Sequence, residues 1–255
     1  DLIEGLPPAV AVTQNQTSRS NRATVATATE IADHLRLLFA KLARATCPDC
    51  GLPVEPGTVQ SVVEQLLALG ETIDVWVADD GSPDGTADAV REAMAAHPGR
   101  VDLLLRSEKA GRGAAVIAAF KKGLADPKGY QVLVEMDADF SHRPEDLPKL
   151  LGKLDRCDMV VGSRYVEGGG TSEWGVWRPV LSWLANRYVA LVAGIPIRDT
   201  TSGYRAYRRA VLEETAFDRI KIRGYVVHGE MAYQAWIHGF RLGEVLHLRF
   251  ADVDL

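Results

Sequence analysis

The sequence predicts an α/β fold built on a mainly parallel sheet, preceded by a mostly helical N-terminal fragment. Three observations predict it. From about residue 71, short apolar runs alternate with segments at helical spacing, a βαβα rhythm. Two of those runs end in acids, Asp79–Asp80 and Asp137–Ala138–Asp139. That is the carboxyl edge of a parallel strand, where open α/β sheets bind their ligands. Before residue 70, strand-like signal is scarce.

In chain order, residues 7–12 (PPAVAV) suit one short strand and 13–22 a polar loop. Residues 30–45 repeat Ile31, Leu35, Leu38, Phe39 and Leu42 at helical intervals. CPDCG makes a tight turn, and 59–70 reads as a second helix closed by Gly70. Strands follow at 74–79, 101–106, 131–137 and 158–164, interleaved with helices at 85–96, 113–124 and 144–154, the last with Pro144 near its first turn. Then come a glycine-rich loop (167–175), a helical run (179–193), a polar loop (198–209), a helix near 229–239 and a final strand (241–250).

Composition narrows the function classes. A hydrophobic share of 47% and a charged share of 25% are ordinary for a globular chain. Net charge is −5, so no nucleic-acid partner is expected. No apolar run reaches 18 residues, which excludes a membrane-spanning helix. Three cysteines fit a reducing compartment rather than a disulfide framework. Cys47 and Cys50 supply two of the four ligands a structural zinc needs, so an unmetallated turn is expected there. The chain opens without methionine or a signal-peptide core, as a fragment or processed product would.

Several constellations carry chemistry. Asp137 and Asp139, two residues apart on extended backbone, point the same way and repel unless a cation joins them. Mg²⁺ or Mn²⁺ does so while bridging to a substrate diphosphate. The plain alternative is a solvated strand end. Asp79 and Asp80, before the Gly-Ser-Pro-Asp-Gly turn, can accept hydrogen bonds from a base or ribose, or belong to a turn in which Asp84 or Thr86 caps the next helix. Lys109, Gly111 and Arg112 precede a helix start and suit a diphosphate, or form a solvated basic turn. Arg164, Arg178 and Arg205 sit at loop ends where a second anion could bind. Glu230 lies at an expected helix start, where simple capping is the alternative.

Taken together, DDGSPDGT, EKAGRGAA, EMDADFSHRPEDLP, GSRYVEGGG, RDTTSGYRAYRR and GYVVHGEM resemble the polyprenol-phosphate (dolichol-phosphate) mannosyltransferases, inverting family 2 glycosyltransferases. The resemblance runs from about residue 71 to 250. It implies a Rossmann-like nucleotide-diphospho-sugar transferase fold, a GDP-mannose-like donor, a polyprenyl phosphate acceptor and peripheral contact with the inner, cytoplasmic face of the membrane. It further implies that Asp80 contacts the nucleoside, that Asp137 and Asp139 hold metal and diphosphate, and that Arg164 and Arg205 meet the acceptor phosphate. Glu230 matches an acid of the family's last block.

Residues 1–70 resemble a different family, the excinuclease ABC ATPases of bacterial nucleotide-excision DNA repair, through DLIEGLPPAVAVTQ, NRATVATATEIADHLRLLFAKLA and CPDCGLPV. This stretch departs from that family at Asn15, Ala23 and Ala26, and no G-x-x-x-x-G-K-[ST] loop accompanies it. The expected organisation is therefore an incomplete, excinuclease-like ATPase piece over 1–58 and a transferase domain over 59–255 that lacks the family's usual first strand. Residues 8–16 are a candidate substitute for that strand. Trp183 stands where many relatives carry a basic residue, and the family's basic, Ser-Lys-containing tail does not follow LHLRFADVDL. Two competing expectations remain, a non-catalytic repair-protein module and an inactive fusion relic.

Overall fold

The structure, a computed structural model, describes Ile31, His34, Leu35, Leu38 and Leu42 and residues 58–106, 111–166, 170–171, 177–220, 226–246 and 248–249. The chain divides into two units, one of residues 1–56 with 253–255 and one of residues 57–252. In the first, the five described residues are helical, and Ile31, Leu35, Leu38 and Leu42 are exposed. Residues 8–16, Cys47 and Cys50 lie outside the described residues.

The second unit opens with α1 (Val59–Ala68). Thr58 and Ser61 cap it reciprocally, each side chain accepting the other's backbone N–H at 3.1 Å. There follow β1 (Val75–Asp79), α2 (Thr86–Ala96), β2 (Val101–Leu105), α3 (Arg112–Ala125) and β3 (Val132–Glu135). Next come a 3₁₀ turn (Pro144–Asp146), α4 (Leu147–Lys153), β4 (Met159–Ser163), β5 (Gly170–Thr171) and α5 (Trp177–Ala193). The rest is β6 (Arg205–Arg208), α6 (Arg209–Glu213), a 3₁₀ turn (Phe217–Arg219), α7 (Val226–Ile237), β7 (Leu242–Leu246) and β8 (Leu248–Arg249).

Four strands form the central sheet in the order β3-β6-β4-β7. β4 and β7 are parallel, whereas β6 runs antiparallel to both neighbours. β6 corrects the expected polar loop over 198–209. Its Arg205 and Tyr207 are fully buried despite their polar groups, and the guanidinium of Arg205 is satisfied by backbone carbonyls folded around it. Successive residues of β4 face opposite sides. Met159 and Val161 pack with Phe120, Tyr207, Leu212 and Met231, so α3, α6 and α7 cover one face. Val160 packs with Leu150 and Leu154, so α4 covers the other.

β1 and β2 form a separate parallel pair. Among the described residues no strand lies between β1 and β3. The edges of both line a cleft of about 810 Å³, floored by α1 and α3 residues such as Val62, Leu66, Val116 and Phe120. Trp76, Val77, Leu133 and Val134 are only half-buried as a result. Helix α3 ties the two sheets together: a side chain at Gly123 would start 2.5 Å from Leu133 and 3.3 Å from Trp76.

Candidate functional site

The acids expected at strand ends are there. Asp79 closes β1, is buried, and accepts the N–H of Ser82 through both oxygens at 3.2 and 3.3 Å. It shapes the turn, which leaves Asp80 to face outward. Asp80 Oδ1 accepts from Arg106 Nη1 at 2.9 Å in a partly exposed pair. Asp84 accepts the Thr86 N–H at 3.0 Å within the turn, but the residue that caps α2 is Gly85, which supplies no side-chain hydrogen bond, so neither Asp84 nor Thr86 is the cap.

The second acidic end follows β3. Its turn is fastened from within: the N–H of Asp137 donates to His142 Nδ1 at 2.8 Å, and Ser141 N–H donates to Asp139 Oδ1 at 2.9 Å. Nδ1 therefore carries no proton, and the ring stacks on Tyr204 with centroids 5.1 Å apart. Between them Phe140 takes φ 61°, a left-handed conformation that a bulky residue adopts only under constraint. Burial opposes the charge on Asp139, yet hydrogen bonding from Ser141 outweighs it and holds the carboxyl below its usual range. Asp139 is thus kept anionic.

The loop after β2 joins the two acidic ends. Arg106 at its head grips Asp80, and Arg112 at its foot grips Asp137. Gly111 has φ 88° and ends the loop just before α3, presenting that helix's N-terminal N–H groups beside Arg112. Lys109 lies outside the described residues.

Arg112 also approaches a third acid that the sequence reading passed over. Glu135, the last residue of β3, lies 3.9 Å from Arg112 Nη2 through Oε1. The same oxygen is 2.8 Å from Nε2 of His228, a wholly buried residue of α7. An ionised carboxylate only accepts, so His228 donates. Alternation along EMDAD would put Glu135 on the side of Asp137 and Asp139 in an extended chain, a signal present in the sequence, although β3 itself ends at Glu135.

Two arginines expected at the acceptor are built into the core. Arg164 pairs with Asp199 and with Thr201 Oγ1, the latter at 2.7 Å. Arg205 is fully buried and donates to the carbonyls of Ser202, His228 and Thr200 at 2.6, 2.6 and 2.7 Å. Its guanidinium is committed to backbone, which explains how a polar segment became a central strand. By fixing the carbonyl of His228, Arg205 acts beneath the site instead of at its surface. Glu230 sits one turn into α7, described from Val226; it accepts from Gln234 at 3.0 Å and, among the described residues, caps no helix N–H. Arg178 falls within α5.

The same helix carries an exposed cation, Arg187, and exposed apolar groups that sequence reasoning missed. A pocket of about 220 Å³ is lined by Tyr165, Trp183, Arg187, Ala190, Ile197 and Arg198. Beside it Leu184, Tyr188, Leu191 and Val192 project into solvent at helical spacing. No described helix is long and apolar enough to cross a membrane.

As for a metal, no three His, Cys, Asp or Glu residues among those described gather as a cage. Asp137 and Asp139 offer hard oxygen donors only. That set fits Mg²⁺ or Mn²⁺, which accept one or two carboxylates and take their remaining ligands from phosphate and water.

Comparison with known proteins accords with this geometry. Residues 55–216 match the family described as glycosyl transferase family 2. The polyprenol monophosphomannose synthase of Mycolicibacterium smegmatis is 46% identical over 195 residues, which cover 76% of this chain and 70% of that protein. The undecaprenyl-phosphate mannosyltransferase of Micrococcus luteus is 44% identical over 194 residues, 76% of each chain. Among solved structures, glucosyl-3-phosphoglycerate synthase from Mycobacterium tuberculosis in complex with phosphoglyceric acid aligns with TM-score 0.50 at 19% identity, covering 77% of this chain and 67% of that one. The same enzyme with Mn²⁺, UDP-glucose and phosphoglyceric acid aligns at 0.51 and 19%, over 77% and 66%. That likeness speaks to the fold, a nucleotide-diphospho-sugar transferase sheet.

Proposed function

The chain belongs to glycosyl transferase family 2 and is a glycosyltransferase; from that premise we propose that it transfers mannose from GDP-mannose to a polyprenyl phosphate, with inversion at the anomeric carbon. The observation that carries this reading is the junction after β3, where Asp137 pairs with Arg112 at the start of α3 and Asp139 follows two residues on. A nucleotide diphosphate needs that combination of hard anions and positive charge. The names of the two mannosyltransferases supply the sugar and the lipid class.

Asp80 receives the nucleoside, with Arg106 holding its orientation. Arg112 and the α3 N-terminus receive the diphosphate. Asp137 and Asp139 would hold Mg²⁺ or Mn²⁺, which when bound supplies positive charge to the departing diphosphate. The acceptor phosphate is an anion already, so its oxygen attacks the anomeric carbon without a strong base. A bond forms from that oxygen to the sugar, the bond from sugar to diphosphate breaks, and the electron pair leaves with the diphosphate. Catalysis then rests on alignment and charge.

With Arg164 and Arg205 committed to the core, the acceptor phosphate is assigned to the pocket of Arg187 and Arg198. The exposed apolar residues of α5 would carry the isoprenoid or rest on the membrane, as suits an enzyme working at the cytoplasmic face. Titration of GDP-mannose with and without Mn²⁺ tests the donor site. Metal-dependent binding that Asp139→Ala abolishes is expected, followed by mannose transfer to polyprenyl phosphate. Tight ATP binding without sugar-nucleotide binding would favour the repair-protein reading of residues 1–58 instead.

A further inference from the structure

Arg112, Glu135 and His228 form an arrangement that donor binding by itself does not require. Glu135 is buried to 9% side-chain exposure. One oxygen, Oε1, is held by His228, whereas Oε2 is buried and meets no hydrogen-bond donor. A buried carboxylate oxygen left so is costly, on the order of 1–3 kcal/mol. The nearest cation, Arg112, reaches Glu135 only at 3.9 Å, because its fork is turned toward Asp137. The backbone beside it is glycine: a Cβ at Gly203 would fall 2.5 Å from Arg112 Nη2 and 3.6 Å from Glu135 Oε1. Space is thus kept open between the two acids at the point where the guanidinium lies.

We propose that Arg112 has two seats, Asp137 when no divalent cation is bound and Glu135 once one is. The inference rests on the metal reading of Asp137 and Asp139. A divalent cation on Asp137 repels the guanidinium at contact distance. Glu135 offers it a buried charge with an unused oxygen, a short rotation away, and His228 keeps that carboxylate from following. Seated there, Arg112 still lies beside the diphosphate, as a positioned cation and not a competitor for Asp137. Glu135 and His228 are positioning residues in this scheme. Arg205, which holds the His228 carbonyl, stabilises the second seat from below.

The test is Mn²⁺ affinity without nucleotide, read from the paramagnetic resonance of free Mn²⁺ in a double-mutant cycle. Arg112→Gln removes the competitor and tightens Mn²⁺ binding. Glu135→Gln keeps its hydrogen bond to His228 but removes the anionic seat, and weakens Mn²⁺ binding by about tenfold, a coupling usual for neighbouring groups. In the Arg112→Gln background, Glu135→Gln then has no effect. Equal weakening in both backgrounds overturns the proposal, since it would reflect only the field of the lost charge. Gly203→Ala is a second probe: it dislodges the guanidinium, and is expected to tighten Mn²⁺ binding only when Arg112 is present. Unchanged affinity in that variant also counts against two seats. Mn²⁺ binding in no variant would sink the metal reading and this inference with it, whereas binding with additive effects sinks only the inference.

Discussion

Arg164 and Asp199 meet as a two-pronged ion pair closed off from water: Nε reaches Oδ2 and Nη2 reaches Oδ1, each at 2.7 Å, with Arg164 7% and Asp199 0% exposed. The carboxylate also accepts the N–H groups of Arg164 and Ser202 at 3.1 and 3.0 Å. Every lone pair is thus used, and the pair ties the end of β4 to the loop before β6. Removing one partner strands the other charge in the interior. Arg164→Ala is expected to cost about 3–5 kcal/mol in urea unfolding. A loss under about 1 kcal/mol, the range of an exposed pair, would show that the guanidinium is not buried as described.

The same pair predicts an acid limit. Burial works against the charge on Asp199, but the Arg164 hydrogen bonds and charge prevail and lower its pKa from the ordinary 3.8. A carboxyl whose pKa is depressed by folding stabilises the fold above its unfolded value and loses that contribution as pH falls through the folded one. Stability should therefore be insensitive to Asp199 above about pH 5 and decline with acid below about pH 4. Asp199→Asn is expected to start lower and to show a shallower decline. Unfolding free energies measured from about pH 3 to about pH 7 check this.

Arg205 separates a structural role from a binding role. Lysine in its place cannot serve the carbonyls of Thr200, Ser202 and His228 together. Each carbonyl left without a donor costs about 1–3 kcal/mol. Arg205→Lys should therefore lower the melting temperature markedly. An unchanged melt with a raised KM for the lipid would restore Arg205 to the acceptor site.

Asp80 should behave in the opposite manner. Its pair with Arg106 is partly exposed, at 27% and 15% side-chain accessibility, and such pairs contribute about 1 kcal/mol or less. Asp80→Asn is expected to leave stability nearly intact while weakening GDP-mannose binding by about 1.5–3 kcal/mol, the range for hydrogen bonds to a charged group. Calorimetric titration distinguishes this from a global effect.

Much of the fold was legible because burial leaves a period in the chain. The runs at 75–79, 101–105 and 159–163 are mostly apolar and lie within two residues of their expected bounds. β6 was not legible. Arg-Ala-Tyr-Arg reads as polar, and only three carbonyls folded around Arg205 make it a core strand. The same blindness affected the site. Acids at strand ends stand out in a sequence, and Asp80, Asp137 and Asp139 occupy the strand ends where they were expected. An arginine's type does not reveal whether its partners are a phosphate, a buried carboxylate or backbone, and the structure pairs Arg164 with Asp199 and Arg205 with three backbone carbonyls. Arg106 and His228 gain meaning only from partners 26 and 93 residues away.

The division of the sheet bears on motion. Asp79 and Asp80 ride on the two-stranded piece, Asp137 and Asp139 on the four-stranded one, and no described ladder of backbone hydrogen bonds spans them. Their separation is set by side chains: packing from α1 and α3, the hydrogen bonds of Tyr130 and Lys128 to Asp74, and the edge-to-face contact of Trp76 with Tyr130. Such packing slides more readily than a ladder stretches. On the donor site proposed above, a bound nucleotide sugar would touch both pieces and act as a strut that fixes their spacing, and the amides of β1 along the cleft should exchange with deuterium well before those of β4 until it is in place.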